Sequence, residues 1–175
     1  MFVLERWSEK HWPAFAEMQR DPKVMADLGG PFDDDASRRK FERYRDAWEI
    51  SGISRQAVVD RSSGRFLGYS GVMRFIGEEH PLGNHFEVGW RFRRDAWGRG
   101  LATASAHEAL ALAWPAIDAR EILSYTAPEN TRSQMVMGRL GLRRDRPRDF
   151  TARYPKGDWT GLVWVAGRPA EPTAA

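Results

Sequence analysis

The chain has no cysteine among its 175 residues. That absence excludes disulfides, thiolate metal sites and cysteine nucleophiles, and it fits a reducing cytoplasm. No apolar run approaches the ~20 residues needed to cross a bilayer. The opening Met1-Phe2-Val3-Leu4-Glu5-Arg6-Trp7 lacks the basic segment and apolar stretch of a secretory signal. Neither sign of charge dominates: 27 Lys and Arg face 24 Asp and Glu, for a net +3. A soluble cytoplasmic protein is expected, with no membrane span and no metal. One domain is expected over residues 1–167. The tail 168–175 has two prolines and no apolar period, and is expected to be disordered.

Arginine carries most of the positive charge. It clusters at Arg91, Arg93, Arg94 and Arg99, and again at Arg139, Arg143, Arg144, Arg146 and Arg148. Asp33-Asp34-Asp35 and Glu78-Glu79 form acidic patches. The near balance argues against a nucleic-acid surface, and a small anionic ligand accounts for the first basic cluster more economically.

The hydrophobic period switches along the chain. Phe2 to Trp7 reads as a strand, and Ser8 caps a helix over Glu9 to Arg20. A helical turn over Lys23 to Leu28 stops at Gly29-Gly30-Pro31, and one of Asp33 to Asp35 caps a helix reaching about Glu49. Arg55–Arg61 and Arg65–Phe75 read as a hairpin around Ser62-Ser63-Gly64. His85 to Phe92 alternates, with Phe86, Val88, Trp90 and Phe92 on one face and Glu87, Gly89 and Arg91 on the other. An Ala-rich helix from Ala102 to Trp114, a strand over Glu121–Thr126, a helix over Asn130–Leu140 and strands over Leu142–Asp145 and Trp159–Val165 complete the chain. This order predicts a mixed α/β (α+β) fold with a mostly antiparallel central sheet flanked by helices, not a doubly wound one.

Asp95-Ala96-Trp97-Gly98-Arg99-Gly100-Leu101-Ala102-Thr103 joins the alternating strand to the Ala-rich helix. A strand that turns through glycines into a helix presents several backbone N–H groups and the positive end of the helix dipole. Such a turn suits a phosphate or pyrophosphate, although a glycine pair also serves as a plain tight loop. A dinucleotide fold fits poorly. Thr103 stands where a third glycine belongs, and antiparallel strands precede the turn.

These residues resemble the GNAT superfamily of N-acetyltransferases, whose hallmark is Gln/Arg-x-x-Gly-x-Gly/Ala before the third helix. Here the hallmark departs only at Asp95. Phe86-Glu87-Val88-Gly89-Trp90-Arg91-Phe92, the Asn130-Thr131-Arg132-Ser133 element and Leu140-Gly141-Leu142 resemble the branch of ribosomal-protein N-terminal acetyltransferases. The resemblance implies a cleft between splayed parallel strands, His85–Phe92 and Glu121–Thr126, that takes acetyl-CoA. It implies N–H groups of Trp97, Gly98, Arg99, Gly100, Leu101, Ala102 and Thr103 around the pyrophosphate, with Arg93, Arg94 and Arg99 near phosphates. It implies the pantetheine arm beside Trp90, Arg91 and Phe92 and in contact with Asn130. Transfer would go to a primary amine by direct attack.

For the base, Glu87 is the first candidate and His85 the second. Glu87 also reads as an ion-pair partner of an arginine, and His85 as a surface residue. For the acid, the family's usual tyrosine position holds Met137, which cannot donate. The branch's serine falls on Ser133, which also suits a helix cap; Tyr125 is a spare donor. The loop Leu28–Asp35 is the expected specificity element, its acids more plausible as caps. A catalytically inactive acyl-CoA-binding module of the same fold is the competing reading. Homodimers are common in the family, but no apolar surface in the sequence marks an interface.

Overall fold

The computed structural model describes residues 1–77, 80–154 and 157–170. Among these, eight strands join one sheet: β1 (Phe2–Glu5), β2 (Arg55–Asp60), β3 (Phe66–Phe75), β4 (His85–Phe92), β5 (Glu121–Thr126), β6 (Arg143–Arg144), β7 (Phe150–Tyr154) and β8 (Gly157–Gly167). The spatial order is β1-β2-β3-β4-β5-β8-β6, and β7 pairs with β8 beside this path. Every pairing is antiparallel except β4 with β5. The helices are α1 (Trp12–Arg20), α2 (Asp34–Ser51), α3 (Leu101–Ala113) and α4 (Thr131–Arg139).

The two faces of the sheet are covered by different helices, as the alternation along β4 requires. Phe15 and Met18 of α1 and Phe41 and Tyr44 of α2 pack with Ala57, Tyr69 and Met73. On the opposite face Ala106 and Leu110 of α3 and Met137 of α4 pack with Val72, Val88 and Ile122. Small residues let α3 lie close to the sheet: Ala106, Ala109 and Ala113 are all buried. Met137 is thus a core residue.

The fold matches the sequence reading in order and type, with local differences. The first helix begins at Trp12, because Glu9–His11 winds as a 3-10 turn and Pro13 sits at the true helix start. Asp33 is the cap of α2, its Oδ1 accepting from the Ala36 N–H at 2.7 Å. The strand β7 was not expected; Phe150 and Ala152, alternating with Thr151 and Arg153, were its faint signal. Arg168, assigned to the tail, is held: its N–H donates to the Arg120 carbonyl at 2.8 Å and its Nε to that of Ala119 at 2.9 Å. Residues 171–175 and the Glu78-Glu79 patch lie outside the described residues. No described helix is long and apolar enough to cross a membrane.

Candidate active site

The sheet opens between its two parallel strands. β4 and β5 pair in register at Glu87 opposite Leu123, and the strands part beyond that point. On its other side β4 stays fully paired with β3, from Phe75 opposite His85 to Gly68 opposite Phe92. The Arg93 N–H donates to the Leu67 carbonyl. Alternation from that bond turns the backbone groups of Val88, Trp90 and Phe92 toward the gap. The Phe92 carbonyl is already taken by the Trp97 indole at 2.9 Å. The Glu87–Leu123 bridge spends the Val88 N–H on β5, so the Val88 carbonyl and the backbone groups of Trp90 remain as a short stretch of free strand edge.

The glycine turn stands at the wide end of this gap. Gly98 (φ 73°) and Gly100 (φ 72°) adopt left-handed conformations that favour glycine, and a Cβ at either would point into open space. The first backbone bond of α3 runs from the Ala104 N–H to the Gly100 carbonyl. None of the N–H groups from Gly98 to Thr103 donates to another described residue. They form a run of free donors at the positive end of a 13-residue helix. Trp97, counted with them in the sequence, does not contribute: its N–H donates to the Arg94 carbonyl at 3.2 Å.

The surrounding arginines divide into committed and free. Arg93 donates to both carboxylate oxygens of Glu17, at 2.8 and 3.4 Å, and lies 3.5 Å from Asp95. Arg94 and Arg99 are exposed and only loosely paired, each 3.8 Å from a carboxylate, Asp21 and Asp60 respectively. Asp95, the one departure from the family hallmark, pairs with Arg65 and Arg93 and so ties the turn to the β2–β3 hairpin. Burial pushes its carboxyl up, but those two arginines more than offset this and hold it below the usual range. Arg132, which sequence reading passed over, lays its guanidinium 4.0 Å from the centre of the Trp97 ring and brings a further positive charge beside the turn.

At the narrow end Glu87 is buried and ion-paired, Arg55 Nη2 to Glu87 Oε2 at 2.5 Å. Arg55 also donates from Nη1 to the Tyr44 hydroxyl at 2.9 Å. The guanidinium lies across Gly89, where a Cβ would come within 2.5 Å of Nη2. Glycine is needed there for space. Burial works against the Arg55 charge, yet Glu87 more than compensates and raises its pKa. The second carboxylate oxygen of Glu87, Oε1, accepts no bond from a described residue.

His85 lies on the same face of β4. Its Nδ1 is 2.7 Å from the Gly83 carbonyl, so that nitrogen carries the proton in the neutral ring. Its Nε2, 3.4 Å from the Tyr125 hydroxyl, is then an acceptor. Ser133 is half-buried in the first turn of α4. Its N–H donates to Asn130 Oδ1 at 3.2 Å, and its hydroxyl meets no described partner.

The cleft is crossed by a residue that the sequence did not single out. Asp27, in the 3-10 turn Ala26–Leu28 between α1 and α2, receives both terminal nitrogens of Arg91, at 2.8 and 3.1 Å. It also accepts from Asn130 Nδ2 at 3.1 Å, and its backbone carbonyl accepts from the Trp159 indole at 2.9 Å. Arg91 and Asn130, both expected on the cofactor, are engaged here instead. Burial raises the Asp27 carboxyl, and Arg91 with Asn130 more than offsets this, so its pKa is lowered. Asp27→Ala is expected to make the 21–32 loop more sensitive to limited proteolysis; an unchanged cleavage rate would show that the latch holds nothing.

Asp33, Asp34 and two arginines of the second basic cluster, Arg144 and Arg148, are spent structurally, while Arg139, Arg143 and Arg146 stay exposed. Asp34 pairs with Arg20, Arg144 with Asp149, and Arg148 with Glu121 and Asp145. A surface hollow of ≈ 520 Å³ at Trp114–Asp118 and Arg168 lies at the far end of α3 from the turn. No group of three metal-ligating side chains occurs among the described residues.

A sheet divided at one parallel pair, with a free-donor turn at its mouth and an ion-paired carboxylate at its apex, defines a group-transfer cleft rather than a dinucleotide fold. A sequence model described as an acetyltransferase (GNAT) domain matches residues 2–143, and the chain belongs to that family. An uncharacterised N-acetyltransferase of Bacillus subtilis (strain 168), YnaD, is 23% identical over 166 residues, covering 94% of this chain and 91% of that protein. A solved acetyltransferase from Agrobacterium tumefaciens str. C58 has the same fold at TM-score 0.77 and 23% identity, covering 94% of this chain and 90% of that one. A spermidine N-acetyltransferase from Vibrio cholerae, solved with CoA and spermine, matches at TM-score 0.70 and 13% identity, covering 95% of each chain.

Proposed function

We propose that the protein transfers an acetyl group from acetyl-CoA to a primary amine by direct attack. The observation that carries this reading is the run of free N–H donors from Gly98 to Thr103 at the open end of the β4–β5 gap. That run fits a pyrophosphate, and the free edge of Val88 and Trp90 fits the amide-bearing arm between pyrophosphate and thioester. Arg94, Arg99 and Arg132 add positive charge without first losing a close carboxylate. Acetyl-CoA supplies the activated acetyl thioester.

The residues at the apex do the rest. Glu87 Oε1 takes the proton that the attacking amine must lose, directly or through one water. The backbone N–H groups of β4 facing the gap stabilise charge developing on the thioester oxygen. As the amine's bond to the acetyl carbon forms and the carbon–sulfur bond breaks, the Ser133 hydroxyl donates a proton to the departing thiolate. The inactive-module reading is less well served, because both Oε1 of Glu87 and the Ser133 hydroxyl are left without partners in the cleft.

Titration with acetyl-CoA tests the binding half. At 100 times the dissociation constant a ligand adds about 2.7 kcal/mol of stability, a clear rise in melting temperature. No rise at millimolar acetyl-CoA would overturn the proposal. Glu87→Gln and Ser133→Ala test the chemical half: each is expected to lower kcat by about 100-fold, within the usual range for proton transfer, while acetyl-CoA affinity stays put. Undiminished turnover in both would leave the inactive-module or another mechanism to be preferred.

A further inference from the structure

The face of the sheet covered by α1 and α2 carries more cations than the carboxylates there can neutralise. Two carboxylates, Glu87 and Asp27, point to the cleft from this side. Each is consumed by its own buried guanidinium, Arg55 and Arg91. Lys40 of α2 is left over. Its Nζ lies 3.3 Å from Gln19 Oε1, 5.1 Å from the centre of the Phe32 ring and 5.7 Å from that of Tyr69. No described carboxylate is within ion-pair reach of it. Arg43 adds a further cation, 5.6 Å from the Tyr44 ring.

Polar atoms around Lys40 repeat the pattern of donors without acceptors. Gln19 is fully buried and its Nε2 has no partner. The Nε atoms of Arg55 and Arg91 are likewise buried and unpartnered. On α2 the Ser37 hydroxyl, one turn before Lys40, is buried without a partner. A buried donor without an acceptor and a half-buried ammonium without a counter-ion both cost stability. Burial above all, helped by Arg91, Arg55 and Arg43 and opposed by Tyr44, pulls the Lys40 ammonium down to about 8.

Lys40 also stands close to the chemistry. The Tyr69 ring has Lys40 Nζ at 5.7 Å and the Arg55 guanidinium, Glu87's partner, at 5.9 Å. Lys40 and the Arg55–Glu87 pair thus border the same ring, a separation that a molecule of dipeptide size can span. Given the acetyl-transfer reading above, we infer that the acceptor carries a carboxylate as well as its amine, as a free amino acid or short peptide does, and that Lys40 binds that carboxylate. A polycationic amine would meet Lys40, Arg43, Arg55 and Arg91 and is disfavoured.

The experiment follows CoA release by the full-length protein with matched acceptors: amino acids and dipeptides, their C-terminal amides, and spermidine. Carboxylates are expected to exceed their amides by about tenfold or more in kcat/KM, the worth of one charge-assisted hydrogen bond. Lys40→Met is expected to reduce the carboxylates to the level of the amides, chiefly through KM, and Lys40→Arg to restore part of the preference. Wild-type protein that treats acid and amide alike, or prefers spermidine, overturns the inference, as does a preference that survives Lys40→Met. Calorimetry with acetyl-CoA separates the two levels. Binding intact with no carboxylate preference defeats this inference alone, whereas absent binding defeats the acetyl-transfer reading beneath it.

Discussion

Gly100→Val is expected to weaken acetyl-CoA binding by about 100-fold or more, some 2.7 kcal/mol at 1.4 kcal/mol per tenfold. Two effects act together. At φ 72° a β-branched residue is strained, at a cost of about 1–3 kcal/mol. Its side chain would also project into the open space beside the free N–H groups, where the proposed pyrophosphate would lie. Gly52 supplies the control. It too is left-handed (φ 66°) with open space around it, but it ends α2 just before the Arg55 end of β2 and not at the glycine turn. Gly52→Val should carry the same conformational strain and leave acetyl-CoA affinity unchanged. Calorimetric titration of both variants reads the difference. Equal, undiminished affinity in the two would mean that the pyrophosphate sits elsewhere.

Removing Arg55 is expected to have the largest effect on stability. Arg55→Met leaves Glu87 as a buried charge with no counter-ion, a loss of about 3–5 kcal/mol. The double variant Arg55→Met, Glu87→Met replaces the pair by apolar groups, and its stability should return to within about 1–2 kcal/mol of the parent. Its activity should not return if Glu87 is the proton acceptor proposed above. Urea unfolding of the parent, the two single variants and the double variant closes the cycle. If Arg55→Met alone costs under ~1 kcal/mol, the charge is relieved by water or movement and the pair is not structural.

Much of this site was legible in the sequence because it is local. Strand, glycine turn and helix follow one another within His85–Ala113, and alternation alone put Glu87 and Arg91 on one face of β4. The start of α4 near Asn130 and the loss of a donor at Met137 were equally local, although the cap proved to be Asn130 and not Ser133. What escaped were contacts between distant segments. Arg55 precedes Glu87 by 32 residues and Asp27 precedes Asn130 by 103, and nothing in the spacing marks either pair. Gly89 looked like an ordinary family glycine until Arg55 was found lying across it. Asp95 looked like a defect in the hallmark, and its function lies in Arg65, on another hairpin. The aspartates that drew notice, Asp33 to Asp35, drew it by adjacency, while the acid that reaches the cleft, Asp27, stands alone in the sequence.

The parting of β4 from β5 has a consequence for the empty protein. Edge strands usually lie at the outside of a sheet, where short length or charge discourages pairing with other chains. Here an extra pair of edges lies inside the sheet, bordered by the apolar Val88, Trp90 and Ile122. The free backbone groups of Trp90 are template enough for a stray strand. A ligand whose own amides align along β4 completes the sheet as a missing strand would. On the acetyl-transfer reading, donor binding is thus also the last act of sheet formation.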